Sequence, residues 1–238
     1  MELSYILNEL GEDRAQYFNA IAPPIIQSSN FAFRTVAEFR AALADEYHAT
    51  LYSRGNNPTV DILRKKLAAL DGADDALVFG SGIAAISIPL LALLQQGDHI
   101  VSVARPYSWT IKLFEKLLPR FGITTTFVDG TQTKNFEQAL RPNTKLIYLE
   151  SPNTFTYELQ DLGAVATLAR NRGIVTMIDN SYSGPLYQQP YKMGIDLVAQ
   201  SATKFISGHS DVVAGVVTGS RQHIQKIFEG EFLNIGGN

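Results

Sequence analysis

The sequence predicts an α/β fold, a mostly parallel sheet covered by helices on both faces and preceded by an extended N-terminal arm over residues 1–50. Two observations point to it. Short apolar segments rich in β-branched residues alternate with amphipathic stretches after residue 51, the pattern of strands buried on both faces. A glycine turn, GSGIAA at 80–85, joins one such segment to the next amphipathic one.

The elements follow in order. Residues 1–50 have weak periodicity, and Pro23 and Pro24 discourage a helix in AIAPPIIQSSNFAFRT. NPTVDILRKKLAALDG predicts a helix capped by Asn57, with Pro58 in its first turn, Val60, Leu63, Leu67 and Leu70 on one face, and Gly72 as its stop. ALVFGSG is a strand entering a turn, and a second helix runs from 83 to 96, ending at Gly97. HIVSVA is a strand, and SWTIKLFEKLLPRFG a helix with Pro119 near its end. The strands ITTTFVD and KLIYLE flank a short helix, NFEQAL, and LGAVATLARNRG is a further helix. IVTMID, DLVAQS and VVAGVVTG are strands, and SRQHIQKIFEG is a closing helix.

Composition narrows the function classes. The 238 residues are 45% hydrophobic and carry a net charge of −3, which gives no sign of a nucleic-acid or anionic-membrane partner. Absence of cysteine excludes disulfides, thiolate metal sites and cysteine nucleophiles, and weakly favours a reducing compartment. MELSYILNELGEDRA has no basic region followed by an apolar run, so no secretory signal is expected there. AAISIPLLALL at 84–94 is too short to span a bilayer and contains Pro89. The expected setting is soluble and cytoplasmic.

Ligands of such sheets bind beyond the carboxyl ends of the strands, so the polar residues at those ends come first. GSGIAA is either a plain turn or, through the free N–H groups of the helix start, a phosphate site. It is no Walker loop, because no Gly-Lys-Ser/Thr follows. Asp179, ending the apolar strand of IDNSYSGP, is either a turn aspartate or a carboxylate that keeps a ring nitrogen or a metal charged. No His or Cys cluster accompanies it, so metal is the weaker choice. Lys204, in SATKFISGH, is either a snorkelling lysine or a Schiff-base lysine. Ser201 and Thr203, on one side of an extended segment, could both donate to a phosphate. Together these are the parts that hold pyridoxal phosphate: a lysine for the aldehyde, a carboxylate for the pyridinium nitrogen, and neutral donors with a cation for the phosphate.

YSRGNNPT at 52–59, GSGIAA at 80–85 and DLVAQSATKFISGHS at 196–210, in this order, resemble the Cys/Met-metabolism pyridoxal-phosphate enzymes, which include cystathionine β-lyases, γ-lyases and γ-synthases. The resemblance covers nearly the whole chain. It implies a fold-type-I, aspartate-aminotransferase-like large domain over 51–238, with the arm 1–50 contacting a neighbouring subunit. It implies that Lys204 carries pyridoxal 5′-phosphate, that Asp179 pairs with the pyridine nitrogen, and that Tyr107 stacks on the ring. Gly82 and Ile83 would bind the phosphate by their N–H groups, and Ser201 and Thr203 by their hydroxyls. Tyr52 and Arg54 would reach the phosphate of a neighbouring subunit, which implies a dimer sharing active sites, or a tetramer. Lys204, Tyr107 and Tyr52 are the implied proton-transfer groups; His209 is read as structural.

Three departures are visible. Gly80 and Ile83 stand where Ser and Met are common in the family, a change that backbone donors tolerate. ESPNTFTYELQD has Thr154 and Phe155 in place of an Asn-Pro pair. With FGITTTFVDG and LRPNTKLIYLESP, this variant looks more like the bacterial β-lyase branch. The chain ends at FLNIGGN, where relatives continue into a C-terminal domain that holds the substrate carboxylate with an arginine, so that role has no residue here. The expected activity is β-elimination on cystathionine, giving homocysteine, pyruvate and ammonia. The alternatives are γ-elimination or γ-replacement, and an inactive, merely cofactor-binding or structural fragment.

Overall fold

A computed structural model describes residues 1–236. The first helices are α1 (Leu3–Asn8), α2 (Val36–Ala44) and α3 (Pro58–Asp71). Then come β1 (Asp75–Phe79), α4 (Gly82–Leu93), β2 (His99–Val103), α5 (Ser108–Lys112), β3 (Thr124–Val128) and α6 (Thr133–Ala139). The chain continues through β4 (Thr144–Glu150), α7 (Leu162–Asn171), β5 (Val175–Asp179), α8 (Gly184–Tyr187), β6 (Leu197–Gln200), β7 (Gly215–Gly219) and α9 (Arg221–Ile227).

The strands form one seven-stranded sheet in the order β1-β7-β6-β5-β4-β2-β3. Every pairing from β6 to β3 is parallel, whereas β7 runs antiparallel to both β1 and β6. Successive residues alternate between two cores, the signature of a strand covered on both faces. Ile100, Tyr148, Met177 and Leu197 join Phe79, Leu90 and Phe228 on one face. Their neighbours Val101, Leu149, Ile178 and Val198 join Val165 and Ala169 on the other.

Several expectations are corrected. The arm is not extended throughout. It holds α1, a 3₁₀ turn (Arg14–Tyr17) and α2, and its longest stretch without regular structure, apart from one bridge, is 18–35, which contains Pro23 and Pro24. Lys66 fastens α1 to α3, donating to the Leu7 carbonyl at 2.8 Å and to Glu12 at 2.6 Å. Helix α3 has the expected Asn57 cap, Pro58 and left-handed Gly72, but buries Arg64, Leu67, Ala68 and Asp71 and leaves Leu63 outside. The rotation follows from polar partners at the sheet edge: Arg64 donates to the Ala76 carbonyl at 2.7 Å, and Asp71 is held by Gln200 and Thr218.

Helix α4 stops at Leu93, short of Gly97. The 108–121 helix changes pitch, from α to a π turn (Leu113–Leu117) and then a 3₁₀ turn (Leu118–Phe121). Pro119, which has no N–H to give an i−4 carbonyl, lies in that 3₁₀ turn. Strand β7 begins at Gly215 rather than Val212, and α9 passes into a π-type segment (Phe228–Gly236) broken at Gly230. Among the described residues no helix is long and apolar enough to cross a membrane.

Candidate active site

Because β2, β4, β5 and β6 are parallel, their carboxyl ends share one edge of the sheet. The end of β1 joins them, since β7 is antiparallel to both flanking strands and starts at Gly215, opposite Phe79. The turns after these strands hold the candidate site residues.

After β1, Ser81 caps α4 by accepting from Ala84 N–H at 3.2 Å. Among the described residues the N–H groups of Gly82 and Ile83 have no protein partner. A Cβ on Gly82 would lie 2.6 Å from the Ser201 Cβ and 2.8 Å from its Oγ. Only glycine therefore lets the Ser201 hydroxyl sit against this helix start. A Cβ on Gly215 would lie 2.1 Å from the Ser81 carbonyl oxygen, so this crossing also demands glycine. Gly80 faces open space, and its exchange for the family's serine costs no packing.

After β6, Lys204 is exposed in a hydrogen-bonded turn, not an extended segment: its N–H donates to the Ser201 carbonyl at 3.0 Å, and its own carbonyl accepts from Gly208 at 2.9 Å. The turn separates the two hydroxyls. Thr203 Oγ1 donates to the Ala214 carbonyl at 3.1 Å and accepts from Ala214 N–H at 3.0 Å, so its proton is engaged. The Ser201 hydroxyl makes no hydrogen bond among the described residues. His209 is exposed, with Nδ1 3.3 Å from the Ser207 carbonyl oxygen.

Asp179 ends β5. Burial pushes its carboxyl above the ordinary carboxylate range, while the Ser181 hydroxyl and N–H and the Lys204 charge oppose the rise. Ser181 N–H donates to Asp179 Oδ1 at 2.9 Å, and Ser181 Oγ accepts from Ser201 N–H at 2.6 Å. Ser181 thus ties the aspartate to the lysine turn. Beside Asp179, as its Cα partner on β4, stands Glu150, only 5% exposed. Glu150 Oε2 accepts from Tyr107 N–H at 2.7 Å, and Oε1 accepts from the N–H and the hydroxyl of Thr154. Burial and then the Asp179 charge raise Glu150 to about 7, against those hydrogen bonds. Tyr107 precedes α5 and is 43% exposed.

Tyr52 and Arg54 lie elsewhere in the local network. The guanidinium sits 5.1 Å from the Tyr52 ring centroid, and Tyr52 bridges Asn30. Among the described residues no hydrogen bond or ion pair joins either to Lys204, Asp179 or Gly82. Glu150 and Ser181 were missed from sequence. The rule that singled out Asp179, an acid ending an apolar strand, also finds Glu150 in KLIYLE. An aromatic row was missed as well: Tyr157, Tyr182 and Phe205 stand 5.3 and 6.3 Å apart in succession, ending next to Lys204.

Fold and site together define a fold-type-I pyridoxal-phosphate enzyme domain. Residues 6–237 match the model of the Cys/Met metabolism PLP-dependent enzymes, and the chain belongs to that family. It is 36% identical over 217 residues to the L-methionine gamma-lyase of Pseudomonas putida, covering 91% of this chain and 54% of that protein. It is 39% identical over 207 residues to the cystathionine beta-lyase MetC of Bacillus subtilis, covering 87% of this chain and 51% of the relative. The crystal structure of metB from Corynebacterium glutamicum superposes with a TM-score of 0.91 at 33% identity, over all of this chain and 60% of that one. The chain therefore spans about half the length of the curated relatives it matches.

The residues present fit the family's cofactor. Two free N–H groups at a helix start, a glycine cradle and the Ser201 hydroxyl suit a phosphate. A desolvated carboxylate at Asp179 within reach of the Lys204 charge suits a protonated ring nitrogen.

Proposed function

We propose that this chain carries the cofactor-binding domain of a cytoplasmic carbon–sulfur lyase that acts on cystathionine by β-elimination. The observation that supports it is the convergence of Lys204, Asp179, Ser201 and the Gly82–Ile83 turn at one edge of the sheet. In this reading Lys204 is the attachment point, and Gly82 and Ile83 N–H with the Ser201 hydroxyl hold the phosphate. Thr203 contributes by fixing the turn through Ala214. Asp179 keeps a proton on the ring nitrogen, and Tyr107 covers one face of the ring. Bound pyridoxal phosphate supplies an electron sink conjugated to the substrate amine.

The remaining work falls to side chains. Lys204 Nζ takes the proton from the substrate Cα and hands it on as the thiolate leaves Cβ. One cystathionine and one water give homocysteine, pyruvate and ammonia. Tyr52 and Arg54 serve the phosphate of a second copy, so the active form is at least a dimer and, as in the family, a tetramer. The absence of any bond from either residue to the Lys204 cluster is compatible with service to another subunit. The second reading is γ-elimination, favoured by the 36% identity to a methionine gamma-lyase.

The test is to incubate the protein with cystathionine and pyridoxal phosphate and identify the keto acid. Pyruvate supports β-elimination and 2-oxobutyrate supports γ-elimination. Bound cofactor without any keto acid leaves a binding domain only, and a colourless protein overturns the cofactor assignment.

A further inference from the structure

We propose that Glu150 is a positioning residue that sets the place of the Tyr107 ring, and through it the affinity for the cofactor. The inference rests on the reading above, which puts Tyr107 over the cofactor.

The Tyr107 loop has little means of holding itself. Arg105 is in the left-handed region at φ 62°. Pro106 offers no N–H, and α5, only five residues long, has no side-chain cap. Two bonds from the 150–153 segment hold the loop: Asn153 Nδ2 donates to the Arg105 carbonyl at 2.7 Å, and Glu150 Oε2 accepts from Tyr107 N–H at 2.7 Å. The second acts on the residue that bears the ring.

The chemistry calls for an acid. Glu150 receives donors on both oxygens, from the Tyr107 loop on Oε2 and from Thr154 on Oε1. A carboxylate can accept at both oxygens, whereas a carboxamide must turn its NH₂ toward one of these donors. A buried charge beside the Asp179 carboxylate is unfavourable for stability. A merely structural position would be better filled by a neutral side chain.

The hold is expected to be pH-sensitive. Oε1 already has two donors, so a proton added to Glu150 goes to Oε2 and weakens the bond from Tyr107. The groups facing Glu150 are Asp179 on β5, Tyr148 on β4 and Tyr107 itself, with Lys204 acting on Asp179. Glu150 is raised to about 7, so the loop is held above that pH and released below it.

Trp109 reports on the loop directly. It is the single tryptophan, two residues beyond Tyr107, with Lys112 Nζ 4.0 Å from its ring centroid. In cofactor-free protein its emission should change with pH around about 7, and the change should vanish in Glu150→Gln. A wild type without the transition, or a variant that keeps it, overturns the hold. For the consequence, pyridoxal phosphate is titrated into four proteins: wild type, Glu150→Gln, Tyr107→Ala and the double variant. Glu150→Gln should weaken binding by about tenfold in the wild type and by under about twofold in Tyr107→Ala. Equal losses in both backgrounds assign Glu150 a structural role only, and no loss in either overturns the proposal. A wild type that takes up no pyridoxal phosphate sinks the cofactor reading while the fluorescence still decides the contact. If Glu150→Gln does not fold, Glu150→Asp, one methylene shorter, draws the carboxylate back from Tyr107 N–H and should show the losses of cofactor affinity expected of Glu150→Gln in each of the wild-type and Tyr107→Ala backgrounds.

Discussion

Asp71 and Glu150 are both buried carboxyls with no cation paired to them among the described residues, and burial raises both to about 7. Their partners differ. Asp71 closes α3 and accepts from Gln200 Nε2 at 3.0 and 2.8 Å and from Thr218 Oγ1 at 2.7 Å, both donors on packed strands. Glu150 accepts from peptides of two loops beyond the strand ends. The same shift therefore marks a cross-brace in one place and a movable contact in the other. A perturbed carboxyl identifies a site only when its donors belong to the converging turns.

Four experiments separate the two carboxyls. The largest effect is expected at the turns: Lys204→Ala should abolish the visible absorbance acquired with pyridoxal phosphate while leaving the unfolding midpoint of the cofactor-free protein in place. A lysine-independent spectrum would dissolve the contrast between site and brace.

Next comes the brace. Asp71→Ala leaves the buried Gln200 and Thr218 donors unpaired and should cost about 3 kcal/mol in denaturant unfolding. Its cofactor affinity should stay within about twofold of wild type. A large loss of affinity without loss of stability would make Asp71 part of the site.

The third is a pH effect. The native Asp71 carboxyl lies at about 7 against an ordinary 3.8, so the native state keeps a proton that the unfolded chain releases. Its contribution is fully present below about pH 4 and is lost as pH rises through about 7. His99 acts in the opposite sense. Burial lowers it to about 4 from 6.5, so its contribution is present above 6.5 and is lost as pH falls toward 4. The Asp71 part is thus read as a difference: Asp71→Asn should remove a downward slope of stability between about pH 4 and 7. Parallel pH profiles of the two proteins would refute it.

The smallest is a shift. Asp179→Asn removes the like charge facing Glu150, so the Trp109 transition should move down by up to about one pH unit. An upward shift would contradict the pairing.

Much of this was legible because it is local. The Asn57-Pro58 start and Gly72 stop of α3, the apolar strands and the Asp179 and Lys204 strand ends follow from short-range pattern. Strand direction does not: VVAGVVTG has the same composition whichever way it runs, so the antiparallel β7 was invisible. The rotation of α3 was hidden because Arg64 and Asp71 find polar partners only once the sheet is assembled. Thr203 was credited with an outward hydroxyl because the segment was read as extended, whereas the turn points its proton at Ala214. Helix α1 was missed because it depends on Lys66, far along the chain, whereas α2 has a local signal in the Thr35 cap that accepts from Glu38 N–H.

The antiparallel β7 also sets an order of events. Its pairing partners are residues 75–79 on one side and 197–200 on the other. Neither the Gly82 turn nor the Lys204 turn can be clamped at its final spacing until Gly215–Gly219 slides between them. On a ribosome, the chain carries an open seam until Gly215–Gly219 has emerged, and the site closes only then.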